Sequence, residues 1–125
     1  MSVFFGIDLD VKDFERVKDI AEYCFMINEK LKIVEVYETK KGYHLRFAPE
    51  IMMDEAKELM MVLSLVLGNR DIVQYFKFAW RMKRFVLRQT EKVEAPIGNL
   101  ENITFVEAPT LVAIFSREDI LTKKK

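Results

Sequence analysis

The chain has 125 residues, enough for one domain, residues 1–125, and able to bury roughly two-thirds of the surface its unfolded form exposes without a disulfide or structural metal. Lys plus Arg equals Asp plus Glu at 20 each, so net charge predicts no polyanion partner and only local charge can supply one. The single Cys24 excludes an intramolecular disulfide and suits a reducing cytoplasm.

Residues 3–9 read as a buried strand ending in Asp8-Leu9-Asp10, with Phe5, Ile7 and Leu9 on one face and Gly6, Asp8 and Asp10 on the other. Those carboxylates interrupt the only early apolar run, so no signal peptide is expected. Asp10 suits a helix N-cap, and Val11, Phe14, Val17, Ala21 and Cys24 then recur at spacings of three and four, predicting a helix over 11–31. Residues 33–38 alternate and are β-branched, predicting a second strand. Thr39-Lys40-Lys41-Gly42 reads as a hairpin turn in which Gly42 is free to take positive φ. A third strand follows over 43–48, with Tyr43, Leu45 and Phe47 facing the core, His44 and Arg46 facing away, and Pro49 ending it.

A second helix is expected over 52–67, stopped by Gly68-Asn69, and a third, aromatic-rich one over 71–82. The apolar run of the second helix, residues 59–68, is about half the length a bilayer span needs, so no membrane is expected. Residues 85–91 read as a fourth strand with Val86 and Arg88 outward, and Pro96-Ile97-Gly98-Asn99 as a turn. Residues 103–106 and 111–115 would be short strands separated by Pro109, followed by a helical turn from Ser116 and a solvated Lys123-Lys124-Lys125 tail. Strand, helix, strand, strand, helices, strand is the order of an α+β, ferredoxin-like or RRM-like βαββαβ palm with helices on one sheet face and a short C-terminal β extension. In that order strands one and three are central antiparallel neighbours. Asp8 and Asp10 then meet His44 across a ladder about 4.8 Å wide.

Two carboxylates about 5 Å apart repel by roughly 3 kcal/mol at an effective dielectric near 20, and water reduces this several-fold. A hard cation reverses the sign, and oxygen ligands of this kind suit Mg²⁺ or Mn²⁺ with substrate phosphates completing the shell. His44 would contact a phosphate or move a proton, and Lys40, Lys41 and Arg46 would add positive charge. Each residue also has a plain role open to it: Asp10 as a cap, Asp8 as a solvated strand end, His44 as a structural histidine.

Phe4-Phe5-Gly6-Ile7-Asp8-Leu9-Asp10 and Thr39-Lys40-Lys41-Gly42-Tyr43-His44 resemble the first two motifs of the archaeo-eukaryotic primase (primase–polymerase) superfamily, with Thr39 where serine is usual. The resemblance covers residues 3–48. It implies a nucleotidyltransferase palm in which Asp8 and Asp10 bind the metals and His44 the nucleotide phosphates. The family's third motif, an apolar residue followed by Asp on a later strand, has no counterpart between Lys77 and Arg88, and Glu107, in Phe105-Val106-Glu107, is a candidate substitute. The module that family members usually carry beside the palm has little room here.

Lys77, Arg81, Lys83, Arg84 and Arg88, interleaved with Phe78 and Trp80, have the composition of a phosphate-contacting and base-stacking surface, and equally of a helix whose rings fill a core. By parity only Arg88 shares a face with His44. Residues 59–67 are apolar around more than one side, which means deep burial or an interface with a partner subunit or second copy. Three functions therefore stand: a metal-dependent nucleotidyltransferase acting on nucleotides and nucleic acid, a non-catalytic nucleic-acid-binding or replication-accessory module, and an oligomeric interaction protein.

Overall fold

The computed structural model describes residues 1–88, 92–94 and 104–122. The expected turn at 96–99, residues 89–91 of the expected fourth strand, residue 103 and the basic tail 123–125 lie outside them. In chain order the elements are β1 (Ser2–Val3), β2 (Gly6–Leu9), α1 (Phe14–Ile27), β3 (Ile33–Glu38), β4 (Tyr43–Ala48), β5 (Ile51–Met52), α2 (Met53–Leu67), α3 (Arg70–Met82), β6 (Lys92–Glu94), β7 (Thr104–Val106), β8 (Thr110–Ser116) and α4 (Arg117–Leu121). The architecture is α+β, and every strand pair is antiparallel.

The main sheet has the order β2-β4-β3-β8, with a slip in the β3–β8 register between Val36 and Tyr37. β1 pairs with β5 and β6 with β7 as two short ribbons. One face of the main sheet carries Ile7, Leu9, Leu45, Phe47, Val34 and Val36, all buried. It packs on the stripe Val17, Ile20, Ala21, Cys24 and Phe25 of α1, where the Phe25 and Phe47 rings meet edge-on at 5.5 Å. Phe5, just ahead of β2, joins this core to Phe76 of α3 and to Phe85. Each such side chain stabilises the fold by roughly 1.5–3 kcal/mol. The strand alternation thus works as the sequence predicts.

Several local expectations are corrected. Helix α1 starts at Phe14, not residue 11, and its N-cap is Asp13, whose carboxylate accepts from the Arg16 amide at 3.3 Å. Asp10 is therefore released from capping. The helix ends at Ile27 rather than 31, because the Asn28 side chain accepts from the Lys30 amide and turns the chain away from helical geometry. Gly68 does end α2 in the left-handed region, at φ 64°.

Gly42 does not take positive φ; its need for glycine is close approach. A Cβ there would sit 1.8 Å from the Leu9 carbonyl oxygen and 2.7 Å from the Val11 nitrogen. The 39–42 turn is thus pressed onto the chain where β2 ends. Residues 85–88 form no strand. Lys83 leaves α3 with φ 56°, the chain turns back, and the Leu87 side chain lies over Gly6 at 3.0 Å from where a Cβ would stand. The Tyr75 hydroxyl donates to the Val86 carbonyl at 3.2 Å and fixes that path. Among the described residues β2 is consequently an edge strand, β4 and β3 are interior, and β8 occupies the outer side of β3.

Candidate active site

The β2–β4 register places Asp8 opposite His44, Leu9 opposite Tyr43 and Gly6 opposite Arg46. Facing residues of an antiparallel pair share a sheet face, so Asp8 and His44 emerge together on the side away from α1. His44 Nε2 lies 3.4 Å from Asp8 Oδ1, a contact that becomes an ion pair when the imidazole is protonated. His44 is buried, 7% exposed, whereas the Asp8 side chain keeps 37% of its surface in solvent. On β3, Tyr37 stands opposite His44 and closes the other side of the imidazole row. Burial first, then the charge of Glu35, holds the Tyr37 phenol above its ordinary pKa.

Asp8, Asp10 and His44 line one cleft of about 470 Å³ together with Thr39, Lys40 and Lys41 of the turn. Its opposite wall is Val86 and Arg88 from the segment after α3, and Val106 from β7. The turn is closed on itself by the Thr39 amide donating to the Gly42 carbonyl and the Gly42 amide donating to Thr39 Oγ1, both at 2.9 Å. The Asp10 carboxyl is raised above its ordinary pKa, chiefly because neighbouring atoms withdraw part of its water, then by repulsion from Asp8 and Asp71. Lys41 and His44 pull it back. A carboxylate kept uncomfortable by a second carboxylate is an arrangement that a cation relieves.

Two expected members are elsewhere. Arg46 lies on the same strand as His44 but opposite Gly6, which Leu87 covers, in a separate depression with Phe4, Glu50, Arg84 and Phe85. Its guanidinium stacks over the Phe4 ring at 4.3 Å and approaches Glu35 at 3.9 Å. Glu107 is exposed and lines the adjoining depression with Lys12, Glu38 and Thr110. What it offers toward the cleft is its backbone carbonyl, which accepts from Arg88 Nη1 at 3.1 Å. Among the described residues no group of three or more His, Cys, Asp or Glu side chains is gathered closely enough to hold a metal by itself. Thr39, Val86 and Val106 are cleft residues that the sequence reading did not single out as site residues. Alternation placed Val86 on the correct side, but nothing local marks Val106.

Of the basic aromatic segment, only Arg88 reaches the cleft. Arg84 joins the Arg46 depression, and Lys77, Trp80 and Arg81 lie on the outer side of α3 against α2. No described helix is long and apolar enough to cross a membrane.

No protein-family model matches the chain, and no curated protein or solved structure is similar enough to assign it to a family.

Two carboxylates suit a hard divalent ion that keeps most of its water and takes its remaining oxygens from a phosphate, as Mg²⁺ commonly does. They do not suit an ion that needs an all-protein cage. Three cations, Lys40, Lys41 and Arg88, line the same cleft. A site with paired carboxylates on one wall and cations around the rim is matched to a ligand bearing several phosphates rather than to an apolar one.

Proposed function

We propose that the chain is a palm of ferredoxin-like or RRM-like descent, related to the primase–polymerases, that transfers nucleotidyl groups with the help of Mg²⁺ or Mn²⁺. The observation that carries this reading is the single cleft shared by Asp8, Asp10, His44 and the Lys40–Lys41 turn. Asp8 and Asp10 hold the cation, which would neutralise charge developing on the transferred phosphoryl group. Lys40, Lys41 and Arg88 surround the triphosphate, and each spreads positive charge over oxygens that repel one another. His44, beside Asp8 at 3.4 Å, presents its imidazole to a phosphate oxygen.

Incubation with labelled nucleotides, Mn²⁺ and a primed or single-stranded template tests the reading. Wild type extends the primer, and Asp8→Asn and Asp10→Asn each lose at least about a hundredfold, the scale of removing one transition-state charge contact. Absence of metal-dependent incorporation, together with no Mn²⁺ bound at the two carboxylates by electron paramagnetic resonance, overturns it.

A second reading is favoured by one observation, the lack of a third carboxylate in the cleft among its described lining. It is a binding module that keeps the phosphate-holding cleft without the chemistry. It predicts single-strand binding that falls steeply with salt and survives Asp8→Asn, whereas the catalytic reading predicts that metal-dependent nucleotide affinity falls in the same variant.

A further inference from the structure

The outer face of α2 and α3 carries a groove of about 590 Å³ that has no part in the phosphate cleft. Its floor and walls are Met60, Met61, Leu65, Val73, Phe76 and Trp80. Leu65 is 86% exposed and Met61 58%, far more than α2 needs to seat its buried stripe of Ala56, Leu59, Met60 and Leu63. Residues this apolar and this open cost solubility unless something covers them. The exposed Met61 thioether on the groove surface adapts to varied side chains.

The rim decides what the cover is. Lys77 and Arg81 line it from α3, and Lys57 of α2 stands 4.9 Å over the Trp80 ring. No carboxylate lines the groove, and the ion pairs found among the described residues involve neither Lys77 nor Arg81. Helix α2, at fifteen residues, offers a track about 22 Å long. We propose that the α2–α3 groove docks an amphipathic helix of another protein, with apolar anchors on one face and carboxylates flanking them. Anchors at i, i+4 and i+7 fill the groove in the helix-in-groove manner, and the carboxylates meet Lys57, Lys77 and Arg81. A second copy of the chain fits less well, because a two-fold interface sets this patch against itself and brings the cationic rims together.

Trp80 is the only tryptophan, so its emission reports the groove directly. The probe is a sixteen-residue helical peptide with Leu at the anchor positions and Glu beside them, titrated into the full chain. A control peptide carries Lys in place of each Glu. The Glu peptide shifts Trp80 emission to the blue and saturates, the Lys peptide binds at least tenfold more weakly, and Leu65→Glu abolishes the shift without changing the unfolding temperature by more than a degree or two. Arg81→Glu narrows or inverts the preference between the peptides. Equal binding of both peptides overturns the proposal, as does the absence of a saturable shift. It is equally overturned by a dimer on sizing that Leu65→Glu dissociates, which assigns the face to a second copy. A shift produced by phosphatidylcholine vesicles that the Glu peptide does not displace overturns it in favour of a lipid surface.

Discussion

Replacing Gly42 by alanine tests the close approach on which the cleft is built. The added Cβ would lie 1.8 Å from the Leu9 carbonyl oxygen, and both nearest groups are backbone, so no side chain can swing aside. To restore an ordinary contact the turn and the end of β2 must separate by more than an ångström. That separation strains the Leu9–Tyr43 end of the ladder and the two turn hydrogen bonds between Thr39 and Gly42. At about 1 kcal/mol for each bond lost or badly lengthened, the cost is about 3 kcal/mol, a large share of the 5–15 kcal/mol typical of a domain. With a urea dependence of about 1.5 kcal/mol per molar, the unfolding midpoint falls by about 2 M. Gly68→Ala is the internal comparison. Its φ of 64° penalises a side chain but nothing lies within 4 Å, so it costs about 1 kcal/mol. The same separation moves Asp10 away from Lys41 and His44, so Gly42→Ala also weakens Mn²⁺-dependent nucleotide binding while Gly68→Ala does not. Should Gly42→Ala prove no more costly than Gly68→Ala in urea titrations followed by circular dichroism, the contact between turn and strand is refuted.

Asp10 has a folded-state pKa above its unfolded value of 3.8, so its favourable contribution exists only while it is protonated and is lost as pH rises through the folded value. Asp10→Asn therefore raises the melting temperature at pH 7 by about 1–2 °C, small because the group is exposed and screened, and the gain vanishes below pH 3.8; millimolar Mn²⁺ stabilises wild type and leaves the Asn variant unchanged. Lys41→Ala and Arg88→Ala each weaken Mn²⁺–nucleotide affinity severalfold in a thermal-shift titration, while Arg46→Ala, in its separate depression, leaves it within about twofold. Ser116 accepts from the Asp119 amide at 3.1 Å and Asp119 accepts from the Ser116 amide at 3.0 Å, so Ser116→Ala costs about 1 kcal/mol by chemical denaturation.

Much of this was legible because it is local. The face on which Asp8 and His44 emerge follows from strand alternation, and a one-residue error would have turned both into the core beside Leu45. The hairpin length fixed β3 against β4, and Gly68 marked the end of α2 through its own backbone freedom. The two outer members of the site could not be read this way. Arg46 has the parity of His44, yet Leu87 over Gly6 partitions the sheet face between them, and that partition depends on where the chain goes after Lys83. Glu107 stands next to cleft-lining Val106, yet offers the cleft side only its carbonyl.

The sequence by itself determined the existence and order of β2, α1, β3, β4, α2 and α3, though neither the ends of α1 nor the short β5, and the shared face of Asp8 and His44, because pleat, helical periodicity and turn chemistry act over a few residues. Tertiary structure alone decided that β8 would border β3, that residues 85–88 would wall the cleft without pairing as a strand, and that Gly42 would be required by the Leu9 carbonyl. Those outcomes depend on which distant surfaces compete for the same edge or face, and no window of neighbouring residues carries that competition.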